Sequence, residues 1–229
     1  GLNAAFVDVG YEKDAFLHYT DLGANVKSLS KYVKATLNKK NNTGLLNDFK
    51  FEPEINKLGK ISQVVIKNQR VLVQVTKEPI SSKGPRLSCE LSIAGRYLVL
   101  VPFSKTVSVS RKIQDAEERQ RLKRLITSIK PENFGVIIRT VAKGKDVAEL
   151  DKDLKSSVEK WHTARKTLKS SEPPTQVLGE VERSSALIRD MLNESFDSIF
   201  IDDKDAYENL RDYMGEIASC PKQVTLLTP

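Results

Sequence analysis

The apolar residues of this chain change their period near Ala94, and that change constrains the fold more than any other feature. Upstream, short runs alternate as half-buried strands do: AAFVDV (4–9), a turn at Gly10-Tyr11-Glu12-Lys13, then DAFLHY (14–19). Strand character returns at 61–66, 71–76 and 86–93 between polar turns, the pattern of a small β-barrel. Between these groups lies a polar stretch, about 23–60, that contains KKNNTG (39–44). It includes one short helical segment, SLSKYVKATL, and otherwise reads as mobile loop.

Downstream, the patterning is helical and strand by turns. Residues 96–101 form an apolar, β-branched-rich run ended by Pro102, and Ser110 opens a basic patch. In QDAEERQRLKRLITSI (114–129), Leu122, Leu125, Ile126 and Ile129 share one helical face, with acids first and bases later as the helix dipole favours. FGVIIRT (134–140) reads as a buried strand. Val147, Leu150, Leu154, Val158, Trp161 and Leu168 then make one helical stripe. SSEPPTQ (170–176) is the clearest linker, because consecutive prolines stop a helix. Beyond it the pattern predicts a helix at 183–193, a strand at 198–202, a helix at 204–217 and a strand at 223–227. So few elements rarely close a core, so the last layer is expected to be part of a larger domain. The expected fold class is multidomain α+β.

Charge narrows the partners. The net charge is +7, and residues 1–90 hold 14 Lys or Arg against 9 Asp or Glu. A positive field concentrated in one segment favours polyanions, although a solvated lysine-rich surface has the same composition. No apolar run approaches the roughly 18 residues of a membrane span. Cys89 and Cys220, with His18 and His162, lack ligand spacing for zinc, and two isolated cysteines fit a reducing, cytoplasmic setting.

The residues themselves leave several readings open. Phe6 and Phe16 on adjacent strands are core aromatics by default, yet aromatics on an open strand face can stack bases. Lys83 lies in the turn SSKGPR, with Lys77 and Arg86 nearby, and a solvated turn lysine is the plain reading. Arg139-Thr140 ends a strand and offers a guanidinium fork beside a hydroxyl, a set suited to phosphate but equally to a surface ion pair. Asp202, Asp203 and Asp205 could bind magnesium only with further carboxylates from separate elements. Adjacent aspartates after a strand more often cap the next helix, and that reading is preferred.

The segments NAAFVDVGYEKDAFLHYTDL, LVQVTKEPISSKGPRLSCELSIAGRYLVLVP, SRKI, GVIIRTVA, ELDKDL, Trp161 and ALIRDML, in that order, resemble the ribonuclease E/G family. The resemblance covers nearly the whole chain apart from about forty residues after Gly23. It implies an S1-type OB-fold over 1–90 (first strand missing, insertion at about 23–60), a 5′-sensor domain over 91–171, and part of a ribonuclease-H-like α/β layer over 172–229. The family's catalytic domain, with two magnesium-binding aspartates and a Cys-x-x-Cys element that shares zinc, would follow Pro229. Mg2+ and Zn2+ are therefore expected only for the full-length parent, none is expected in this fragment, and the fragment by itself is not expected to cut RNA.

What the resemblance implies for single residues is specific. Phe6 and Phe16 would stack single-stranded RNA, and Lys83 would contact its phosphates. Arg139 and Thr140 would grip a 5′-terminal monophosphate, the backbone near Gly95 and Val99 would hold the terminal nucleotide, and Arg111 would stand by the same pocket. The implied function is the RNA-binding, 5′-monophosphate-sensing portion of a single-strand-specific endoribonuclease of RNA processing and decay, forming homo-oligomers at full length. The alternative is a stand-alone RNA-binding or ribosome-associated adaptor.

Overall fold

The computed structural model describes residues 2–38, 46–179, 183–191, 198–216 and 223–227. KKNNTG (39–44), Cys220 and the expected helix ends at 192–193 and 217 lie outside them. Residues 1–178 and 179–229 form two compact units in a mixed α+β architecture.

Alternation in AFLH sets the first sheet. β1 (Ala4–Val7) pairs antiparallel with β2 (Ala15–His18), where Ala15 and Leu17 are fully buried while Phe16 and His18 point the other way. α1 (Val26–Leu37) comes next, followed by β3 (Gln74–Lys77) and β4 (Arg86–Ser88). The sheet order is β1-β2-β4-β3, with β2 and β4 parallel through Phe16 and Arg86. Among the described residues it stays open, with β1 and β3 as edges, where a closed barrel was expected. Residues 61–66 supply no strand: Ile61–Gln63 is a single 3-10 turn in which the Gln63 side chain accepts the Lys60 N–H at 3.0 Å. The expected strand 86–93 breaks after Ser88, because Cys89 N–H turns to the Asp21 carbonyl at 2.8 Å. Cys89 is buried there, and burial, with the Asp21 charge, pushes its thiol up to about 12.

The second sheet contains a parallel pair that the sequence pattern did not announce. β5 (Ile93–Ala94), β6 (Leu98–Pro102), β7 (Val107–Val109) and β8 (Phe134–Ile138) stand in the order β5-β6-β8-β7. β7 and β8 are parallel, as they can be because α2 (Ala116–Ile129) crosses between them. Asp115 caps α2 by accepting the Glu117 and Glu118 amides. α3 (Val147–Ser170) starts from a capping box of Asp146 and Glu149. Of its expected stripe, Leu150, Leu154 and Trp161 are buried, whereas Val147 is exposed.

Glu118 ties α2 to the turn that launches α3. It accepts both Nε (2.7 Å) and Nη2 (2.8 Å) of Arg121 and the Gly144 amide at 2.8 Å. The Arg121 hydrogen bonds hold its carboxyl down to about 2, against the opposing effect of burial. A depressed acid stabilises the fold fully above its unfolded value near 4.3 and loses that contribution as pH falls through about 2. Because Arg121 is about a third exposed, solvent screening leaves the pair about 1 kcal/mol. Glu118→Gln should therefore lower the unfolding free energy by about that much at pH 7, with the gap to wild type narrowing steadily from pH 4.5 to pH 2.5. A gap constant with pH in denaturant titrations would refute this assignment.

Of the polar stretch after Gly23, the described residues 24–38 and 46–60 pack onto the rest of the first unit, where mobile loop was expected outside the helical segment. α1 buries Val26, Leu29, Tyr32 and Val33, and Leu46 is fully buried. Tyr32 lies 5.6 Å from Trp161, 5.3 Å from Phe103 and 6.0 Å from Phe49, ring centre to ring centre. The rest is pinned by polar contacts. Asn133 Nδ2 donates to the Leu46 carbonyl at 2.8 Å, Glu52 N–H to Ser28 Oγ at 2.9 Å, and the Tyr19 hydroxyl to the Asn56 carbonyl. Sequence polarity hid this docking because its few large apolar residues are widely spaced. One hydrophobic cluster consequently runs from Ala15 of the first sheet to Trp161 on α3. At the expected linker, α3 ends at Ser170, and exposed Glu172 meets Arg70 at 3.0 Å.

The second unit follows its periodicity. α4 (Arg183–Met191), β9 (Ser198–Ile201), α5 (Lys204–Glu216) and β10 (Gln223–Leu226) form a βαβ layer with β9 and β10 parallel and in register. α5 packs on both strands and on α4. Among the described residues no helix is long and apolar enough to cross a membrane.

Candidate functional site

Phe6 and Phe16 are cross-strand partners, so the pleat puts both rings on one face. That face is solvent-facing: Phe6 is 66% exposed and Phe16 is half-buried. The rings meet edge to face at 5.9 Å, and His18 stacks on Phe16 at 6.3 Å. Three aromatic rings thus form a row across β1 and β2. Arg86 stands beside Phe16 in the sheet, with Lys77 paired to it on β3. Asp21 holds the Arg86 guanidinium by two bonds of 3.0 and 3.2 Å. The turn carrying Lys83 leans on the β1–β2 connection: Lys13 Nζ donates to the Ser81 carbonyl at 3.3 Å, and Phe16 N–H to the Pro85 carbonyl at 2.7 Å. A Cβ on Gly84 would overlap the Asp14 carbonyl, so only glycine lets this turn approach. Lys83 itself is exposed.

A second group of residues meets at one end of the other sheet. Parallel β7 and β8 finish there at Val109 and Ile138, β5 also ends there, and antiparallel β6 begins there. Arg139 donates its N–H to the Tyr97 carbonyl at 2.9 Å and Nη1 to the Gly95 carbonyl at 3.0 Å. The Thr140 hydroxyl lies 2.9 Å from that of Ser110, so two hydroxyls stand side by side. Arg119 Nη1 donates to the carbonyls of Ser110 (2.7 Å) and Ile113 (3.0 Å), which fixes the turn on which exposed Arg111 sits. Val99 is paired with Ala94 on one side and Ile137 on the other, in mid-sheet.

Gly95 has an internal reason to lack a side chain. A Cβ there would come within 2.5 Å of the Asp153 carboxylate. Asp153, on α3, accepts three successive backbone N–H groups, from Arg96 (2.8 Å), Tyr97 (3.0 Å) and Leu98 (2.9 Å). It fills an anion-binding nest and so shapes the turn that Arg139 grips.

The structure therefore joins Arg139, Thr140 and Gly95 at one sheet end with Arg111 on the adjoining turn, and Phe6 with Phe16 on another face. Sequence reading missed His18, Ser110 and Asp153. His18 was recoverable, being two residues from Phe16 on a strand. Asp153 was not, because its partners lie 55 to 57 residues away. Asp203 accepts the Ala206 N–H at 2.7 Å as a helix cap does. Among the described residues no three His, Cys, Asp or Glu side chains converge.

Residues 92–228 match the model of the Ribonuclease E/G family. The chain is 32% identical over 215 residues to the Ribonuclease E/G-like protein of Pyropia yezoensis, covering 93% of this chain and 37% of that protein. It is 31% identical to Ribonuclease G of Escherichia coli over 216 residues, 94% of this chain and 40% of the relative. With Ribonuclease E of a Nostoc species the identity is 30% over 215 residues, 93% and 27% respectively. The chain thus spans two fifths or less of the length of these relatives.

Proposed function

Since the chain belongs to the ribonuclease E/G family, we propose that it is the part of an endoribonuclease that holds single-stranded RNA and reads its 5′ end, in RNA processing and decay. The observation that carries the reading is the solvent-facing Phe6–Phe16–His18 row, with Arg86 and Lys77 beside it in the sheet and exposed Lys83 on the adjoining turn. Exposed aromatics cost solvation unless a partner covers them, and every nucleobase has a face that can. On this reading the open four-stranded sheet is an S1-type OB module and residues 179–229 belong to a ribonuclease-H-like layer. The full-length protein would be a magnesium-dependent, zinc-linked, oligomeric cytoplasmic hydrolase.

Arg139, Thr140 and Ser110 supply the 5′-end chemistry. The guanidinium would present a charged fork to a terminal phosphate, and the paired hydroxyls would add donors beside it. Hydrogen bonds to a charged group contribute on the order of 1.5–3 kcal/mol each. A short RNA with a 5′ monophosphate should therefore bind at least tenfold more tightly than its 5′-hydroxyl counterpart, and more tightly than the bulkier triphosphate. Arg139→Gln with Thr140→Val should erase the difference and leave the hydroxyl form's affinity unchanged. Equal affinities for all three RNAs in the wild type, at one fixed salt concentration, would end the sensing assignment.

A further inference from the structure

Resting on that 5′-end reading, we propose that the groove between β7 and α2 binds the first two internucleotide phosphates of the same RNA. The groove is open to solvent and offers about 540 Å3, within the range of small-ligand sites. Val107, Ser108 and Val109 line it from β7. Its wall is one face of α2: Ala116, Arg119, Gln120 and Lys123 line it, and they fall at i, i+3, i+4 and i+7.

The charge on that wall has one sign. The acids of the first turn, Glu117 and Glu118, lie off this face, and Glu118 is taken up by Arg121 and the Gly144 amide. The groove is left with Arg111, Arg119 and Lys123 and no carboxylate. Arg119 works structurally, holding the Ser110–Ile113 turn by its carbonyls. Arg111 and Lys123, both exposed, are the cations positioned to meet a polyanion.

Continuity fixes the occupant. Two lining residues, Val109 and Arg111, flank Ser110 in the chain, and its hydroxyl lies 2.9 Å from that of Thr140. From Ala116 to Lys123 the helix advances about 10 Å, more than one phosphate group spans and enough for two successive backbone phosphates. A strand whose terminal phosphate rests at Thr140 has room to lay its next two phosphates between Arg111 and Lys123. A small free anion would gain nothing from that length, which is why a nucleic-acid backbone is the better match.

The test uses the full chain and a 5′-monophosphorylated pentauridylate, with the first two internucleotide linkages either native or replaced by neutral methylphosphonates. In the wild type the neutral linkages should weaken binding about tenfold. In the variant Gln120→Ala/Lys123→Ala, whose changes are on exposed helix positions that tolerate alanine, the penalty should shrink to about twofold. The variant should keep the wild-type ratio between 5′-monophosphate and 5′-hydroxyl RNA. An equal penalty in both proteins, or none in the wild type, overturns the groove assignment. Failure of the 5′-end reading shows in a separate arm, as wild-type indifference to the 5′ phosphate with native linkages, and would remove the register proposed here.

Discussion

Truncating Trp161 to alanine is expected to lower the unfolding free energy of the chain by about 3–5 kcal/mol. The indole is 4% exposed and is touched from three directions. Tyr32 comes from α1 at 5.6 Å, Phe103 from the end of β6 at 6.0 Å and Phe134 from β8 at 6.1 Å. These partners belong to separate elements held by their own hydrogen bonds, so they cannot collapse into the space that the indole leaves. The cost therefore combines lost apolar burial with an unfilled cavity. Urea unfolding followed by circular dichroism should show a lower midpoint with an unchanged slope. Trp161→Phe should retain much of the stability, and Phe6→Ala, on the solvent-facing row, should cost under about 1 kcal/mol. A loss under about 1 kcal/mol at Trp161 would mean that α1 is not locked onto α3 as described.

How much of this was legible beforehand follows from the range over which each determinant acts. β2 and the outward placement of Phe16 come from alternation within four residues, and α3 comes from its own stripe and capping box. Both were readable because their causes lie within a few residues. β7 was not, since Val107-Ser108-Val109 is too short to show a period and exists by pairing with β8 across α2. The expected strand at 61–66 failed because one side-chain bond from Gln63 closes a tight turn that alternation does not register. The docking of 24–38 and 46–60 depends on partners such as Asn133 and Trp161, over eighty residues away. The candidate phosphate site was half legible: Arg139 and Thr140 stood out as a pair. Their neighbours Ser110 and Asp153 became visible only when the sheet brought remote turns together.

Replacing both Phe6 and Phe16 by alanine is expected to weaken single-stranded RNA binding by about 2–6 kcal/mol, thirtyfold or more in Kd. Each stacked base contributes roughly 1–3 kcal/mol by alanine substitution, and the two rings share one face, so both meet the same strand. The edge-to-face contact between them also preorganises the row, and its loss adds to the effect. Charge offers a control that stacking predicts and a purely electrostatic surface does not. Removing the rings neutralises no phosphate contact, so the slope of log K against log salt should be the same in variant and wild type. Lys83→Ala should instead lower that slope by about 0.7, the contribution of one phosphate on a single strand, with a smaller loss of affinity. The variant must be folded, which circular dichroism and an unfolding midpoint near wild type would establish, and the exposure of Phe6 makes that the expected state. A folded double variant with wild-type affinity would return both rings to ordinary surface residues. A changed salt slope with intact Lys83 would move the contact from stacking to phosphate.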